Sequence, residues 1–180
     1  MKASSNPIVV YGIIAGLAIC VLSIALYLMG SDAFLSYGWL NYIILIVIAV
    51  LSGLAKKKAN DGYLPFPEAL KTVFGTMMLA MFIQMIFNYV LFNFIDVPFS
   101  EAIKQASIDK GEQMLKRFNA PQDDIDKYLD KMAKDNPNSI GNLFMGFAIF
   151  AIVAFLISLI ISAIIKRNKP EFENTFKDLQ

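Results

Sequence analysis

The chain has 180 residues, of which 57% are hydrophobic and 17% charged, with a formal net charge of +1, no histidine and one cysteine. Soluble domains carry about a quarter charged residues, so this composition excludes an ordinary water-soluble domain, and near-neutrality argues against the concentrated basic face of a nucleic-acid binder. The missing histidine removes the commonest general base and the commonest metal ligand together, so no catalytic residue, metal or cofactor is expected.

Four apolar runs, at residues 8–29, 37–55, 72–95 and 140–165, contain no Asp, Glu, Lys or Arg. About 20 apolar residues in a helix cross the roughly 30 Å of bilayer hydrocarbon. The expected fold is therefore an all-α membrane protein: a single polytopic domain over 1–180 with four transmembrane helices.

The first run follows a single Lys2 and is longer than the core of a cleaved signal, so it is expected to be retained. Leu17-Ala18-Ile19-Cys20 puts Ile19 where a lipoprotein signal needs a small residue, which leaves Cys20 as a plain membrane-buried thiol. Gly12 and Gly16 have the small-x-x-x-small spacing that lets membrane helices approach closely, either within this chain or with another subunit. Residues 30–36 read as a short loop. Trp39 and Tyr42 then suit an aromatic anchor at the membrane interface.

Lys56-Lys57-Lys58 close the second run. Pro65-Phe66-Pro67-Glu68 starts the next helix, with Pro67 setting the first-turn angle and Glu68 meeting the positive helix end. Glu68 and Lys71 are spaced to pair. In the third run, Gln84 and Asn88 share one helix face and should point into the bundle, with Asn93 nearer the surface. They read as an interhelical hydrogen bond or as the lining of a solute path. Met77, Met78, Met81 and Met85 could be read as a Cu(I) relay, but no cysteine or histidine accompanies them and Met78 is turned away, so flexible packing is the better reading.

Pro98 should end the third span. Residues 98–135 then form an outer helical segment, within a stretch from Asp96 to Ser139 that carries nine acidic and seven basic residues. Phe99, Ile103, Ala106, Met114, Leu115 and Phe118 make a first amphipathic stripe, which Lys110-Gly111 should kink or break. Asn119 or Ala120 should cap a second helix with Pro121 in its first turn. That helix carries the stripe Ile125, Tyr128, Leu129 and Met132, a candidate face for a partner. Asn136-Pro137 stops it. In the fourth run Ser158 and Ser162 repeat the small-residue spacing, and Lys166-Arg167 follow.

Basic residues next to span ends stay in the cytoplasm, so the lysine triplet and the C-terminal flank belong inside, with both termini cytoplasmic and the amphipathic hairpin extracytoplasmic. These pieces, in this order, resemble the bacterial family known as domain of unknown function 4199. The resemblance runs from Tyr11-Gly12-Ile13-Ile14-Ala15-Gly16 and the basic end of the second span to Phe66-x-x-Ala69-Leu70-Lys71. It continues through Asp96-x-Pro98-Phe99 and the charged amphipathic stretch to Ser158-Leu159-Ile160-Ile161-Ser162-Ala163 before Lys166-Arg167. It implies a four-helix inner-membrane protein of Gram-negative bacteria and carries no activity or catalytic residue. The departure is Pro65-Phe66-Pro67, where a glycine or small polar residue is usual.

Three functions come into question for such a chain. The first, which the dry spans and the ordered insertion favour, is a non-enzymatic accessory or interaction protein of the bacterial inner membrane. It would have the bilayer, a membrane or periplasmic protein, or a second copy as partner, and no nucleic acid. The second is a small oligomeric transporter or channel using the third span. The third, an enzyme with Asp or Glu of the hairpin as acid and base, lacks any visible nucleophile–base pair or cofactor motif.

Overall fold

A computed structural model of the chain describes residues 6–169, so Lys2 lies outside the described residues. Within them the fold is helical: α1 Pro7–Leu28, α2 Ser31–Tyr37, α3 Leu40–Ala59, α4 Phe66–Val90, α5 Val97–Arg117, α6 Gln122–Lys134 and α7 Ile140–Ile165. A π-helical turn, Leu91–Ile95, extends α4. Four helices, α1, α3, α4 with its extension, and α7, are long and apolar enough to cross a membrane. They make this a multi-pass membrane protein.

Several elements differ from the expectations. Residues 30–36 are not a loop: α2 occupies them, entered through Gly30 at φ +98°, and Gly38 and Trp39 separate it from α3. The third span ends at Asp96 and not at Pro98, which sits in the first turn of α5. Lys110-Gly111 neither kinks nor breaks α5, which runs through to Arg117. Gly111 is needed there because the Tyr128 ring lies where its Cβ would be. The second amphipathic helix is capped by Pro121 itself, one residue later than expected, with Asp123 and Asp124 in its first turn. Glu68 does not pair with Lys71; its carboxylate accepts from Asn60 at 3.0 Å.

The bundle is built inside out relative to a soluble protein. Large apolar side chains face outward, with Leu28 77% and Ile164 76% exposed, whereas Ala15, Ala49, Ser52, Thr76, Ala80, Ala154 and Ser158 are buried. Between hydrocarbon-facing helices there is no hydrophobic driving force, so close van der Waals contact and hydrogen bonds must hold them. Helix α4 packs on α1, α3 and α7, and α1 also packs on α3. A Cβ on Gly12 would lie 2.7 Å from Leu79, and one on Gly16 2.8 Å from Ile83, so both glycines are seats for α4. The Ser52 hydroxyl bonds that of Thr76 at 2.8 Å across α3 and α4, and the Ser158 hydroxyl donates to the Met77 sulfur at 3.4 Å across α7 and α4.

At one end, called here the lysine side, the turn Asn60-Asp61-Gly62 uses positive φ at Asp61 and Gly62. Leu64 and Arg167 exchange two backbone hydrogen bonds of 2.8 Å, and Lys57 donates to the carbonyl of Ile165 at 2.9 Å. Lys57 thus satisfies one of the carbonyls left open at the end of α7. The opposite end carries α2, α5 and α6.

Substituting Gly16→Leu should push α1 off Ile83 and lower bundle stability by about 1–3 kcal/mol, the usual cost of overpacking. Gly146→Ala, with open space around the added methyl, should be neutral. Unfolding in mixed detergent micelles reads both; equal effects would mean that the α1–α4 seat is not a tight contact.

Candidate functional site

The face of α1 that carries Gly12 and Gly16 continues, at helical spacing, into Cys20 and Ser23, both buried. Opposite them α4 brings Gln84, only 6% exposed, and one turn further Asn88. Gln84 is the hub. Its amide nitrogen donates to Ser23 Oγ at 2.9 Å and to Asn88 Oδ1 at 3.0 Å, and its carbonyl accepts from the Cys20 thiol at 3.5 Å. From α3, Asn41 donates to the same Ser23 oxygen at 3.3 Å. Five neutral polar side chains from three spans thereby bond one another, which a water-free interior requires.

One atom stands apart. Asn41 Oδ1 is shielded from solvent and has no hydrogen-bond partner among the described residues. Asn41, Gln84 and Asn88 line a cleft of about 300 Å³ that Phe34 of α2 and Trp39 border. The arrangement offers donors and acceptors to a neutral polar guest or to water. Among the described residues there is no group of three or more Cys, Asp or Glu side chains that could hold a metal ion.

Above this network one carboxylate joins three elements. Asp96 accepts from the Phe99 amide at 2.9 Å as the N-cap of α5, and from the Tyr27 hydroxyl of α1 at 2.8 Å. Tyr27, Phe34 and Phe92 pack around Phe99, with Tyr27 edge-on at a centroid distance of 4.7 Å. Lys110 of α5 reaches Ser36 of α2 at 3.1 Å. Helix α5 is thus fastened to α1 and α2, and α6 packs on α5.

A family model described as a protein of unknown function (DUF4199) matches residues 10–167. The chain belongs to that family. No curated protein and no solved structure matches it. The match takes in all four spans and the α5–α6 pair of this DUF4199 protein, and ends at Arg167, the residue bridged to Leu64.

The structure places the residues singled out from sequence as follows. Gln84 and Asn88 come together in the network. Gly12 and Gly16 lie on the same α1 face, against Leu79 and Ile83. Ser158 and Ser162 are buried on α7, Ser158 against Met77 and Ser162 with no side-chain partner among the described residues. The stripe Ile125, Tyr128, Leu129 and Met132 is not an open face: Ile125 is 3% exposed, the other three are half-buried, and Tyr128 packs on Gly111 of α5. Sequence reasoning missed Ser23, Asn41 and the Tyr27–Asp96 bond. The small or polar series 12, 16, 20, 23 was a readable signal for Ser23; nothing local marks the other two.

Replacing Gln84→Leu leaves Ser23, Asn88 and Cys20 without their shared partner. It should cost about 0.6–2 kcal/mol, the range for polar contacts between membrane helices. Adding Asn88→Leu should recover part of that loss, because Asn88 bonds Gln84 alone among the described residues and removing both partners spares an orphaned group. Simple additivity in a double-mutant cycle would mean that the two side chains do not interact.

Proposed function

We propose that this protein is a non-enzymatic accessory or interaction protein of the bacterial inner membrane, with both termini in the cytoplasm and the α5–α6 pair on the extracytoplasmic face. The orientation is supported by the basic residues at one end of the bundle, where Lys56, Lys57 and Lys58 meet Lys166 and Arg167. Trp39 and Tyr42 belong to the opposite end, as interfacial aromatics would.

The observation that carries the reading is the fastening of α5 to α1 and α2 through Asp96, Lys110 and the Phe99 cluster, with α6 packed on α5. Their mutual packing consumes the stripe at Ile125, so the pair offers a partner its other apolar side chains. Met114 and Phe118, 60% and 74% exposed, stand beside Lys110 and Arg117 near the end of α5. An exposed apolar pair rimmed by cations suits a partner with an apolar patch and acidic surroundings.

The test is crosslinking in native membranes, purification through a C-terminal tag and mass spectrometry. A stoichiometric second protein linked through Lys110 or Lys116 is expected. Met114→Glu with Phe118→Glu should reduce its recovery about tenfold without lowering the amount inserted in the membrane. Full recovery with the double variant removes the tip as the contact. Self-links alone would instead make a second copy the partner.

A second reading, a small oligomeric transporter or channel using the third span, is favoured by the cleft that reaches Gln84 and Asn88 and by the unpartnered Asn41 oxygen. In a Cys20→Ser background, Asn88→Cys should then react with a water-soluble thiol reagent in intact membranes. Complete protection would remove the path.

A further inference from the structure

Helices α4 and α7 run antiparallel and meet ring to ring: Phe74 with Phe155 at 5.7 Å, then Phe82 with Phe147 at 6.2 Å. Beyond Phe82, toward α5 and α6, that contact opens. Met85, Ile86 and Tyr89 on α4, with Leu143 and Phe144 on α7, line a groove of about 190 Å³ whose accessible wall is entirely apolar.

A second cleft, of about 410 Å³, lies further toward α5 and α6. Asn93, Ser100, Glu101, Lys104, Lys134 and Asp135 contribute to it. Asn93 lies between the two: its amide donates to the carbonyl of Tyr89, a residue of the groove, at 3.0 Å and to that of Asn138, a residue of the cleft, at 3.3 Å. Asn138 in turn donates to Ser100. The polar wall is therefore built by α5 and by the link between α6 and α7. Lys104 is held in place by the carbonyls of Ala133 and Asp135, at 2.9 and 2.6 Å. Among the described residues neither Lys104 nor Lys134 forms an ion pair, and neither Glu101 nor Asp135 does.

A dry groove followed, toward α5 and α6, by a cleft bearing two cations and two anions has the polarity of one class of molecule. We propose that it binds a single zwitterionic glycerophospholipid from the leaflet on the α5–α6 side. An acyl chain lies along Met85, Ile86, Leu143 and Phe144; the phosphate meets Lys104 and Lys134; the head-group ammonium meets Glu101 and Asp135. The balance of charge decides the class. A fatty acid or an anionic lipid would use the lysines and leave both carboxylates facing its own negative charge, which costs affinity. A helix of another protein would fill the groove but has no reason to carry paired charges of both signs at its mouth. The site lies apart from Met114 and Phe118, so lipid binding holds whether or not the tip contacts a partner.

The experiment uses the full chain in detergent micelles, offered equal amounts of phosphatidylethanolamine and phosphatidylglycerol and read by native mass spectrometry. In parallel, a phosphatidylethanolamine with a diazirine in its acyl chain is photolysed in vesicles containing the protein. One retained phosphatidylethanolamine is expected, with insertion concentrated at residues 85–89 and 140–144. Lys134→Glu and Leu143→Trp should each lower its occupancy about tenfold, the first at the head group and the second in the groove. The wild-type insertion map serves even if a variant fails to fold. Insertion spread evenly over the exposed faces of α1, α3 and α7 overturns the site. So do occupancy unchanged in both variants, preferential retention of phosphatidylglycerol, and a protein crosslinked into the groove in native membranes.

Discussion

In hydrocarbon, apolar surface gains nothing by touching apolar surface, so the bundle depends on how closely α4 can approach its three neighbours. That closeness comes from residues with little or no side chain. Gly12 and Gly16 admit Leu79 and Ile83, and Gly53 of α3 admits Val73 and Ile165. Once the helices are close, hydroxyls and amides can reach across. Ser52 meets Thr76, Ser158 meets Met77, and Gln84 meets Ser23. Each such bond is worth only about 0.6 kcal/mol, so the network specifies which helix faces meet more than it stabilises them.

The two ends of the bundle are held by different chemistry. On the lysine side, a backbone bridge and a lysine capping α7 tie the last span to the α3–α4 turn. Lys166 lies over the Phe66 ring at 5.9 Å and Arg167 over that of Tyr63 at 5.6 Å. These cation–ring contacts add modestly at an exposed site. On the other side a single carboxylate, Asp96, holds α1 and starts α5, with an aromatic cluster beneath it. The π-helical turn just before Asp96 ends in a bond from the Asp96 amide to the carbonyl of Leu91. It adds a residue to the last turn and sets the angle at which Asn93 and Asp96 leave the span.

Polar groups therefore occur in two settings with different meanings. Those inside the spans are neutral and largely spent on one another, as structural contacts are. Those at the α5–α6 end include charged side chains around a cleft that form no ion pair among the described residues. The same end carries α5, fastened to α1 and α2, and the apolar groove between α4 and α7.

The sequence by itself determined the four apolar helices, their approximate ends, the helical content of the segment between the third and fourth spans, and the family. The helices follow from local properties: run length, apolar composition, proline and capping residues, and the charge at each end; the family follows from the order and spacing of the motifs along the chain. It also pointed to Gln84 and Asn88, because two carboxamides one turn apart in a dry helix must be answered by something. Only the tertiary structure decided what answers them. Ser23 lies 61 residues from Gln84 in the chain, and Tyr27 lies 69 from Asp96, so no local pattern pairs them. The same holds for Gly111, which reads as a helix breaker until Tyr128 is seen to occupy the space that its missing side chain leaves. The stripe at Ile125 looked available because amphipathicity says that a face will be buried, not against what; its burial on α5 was a property of the folded pair alone.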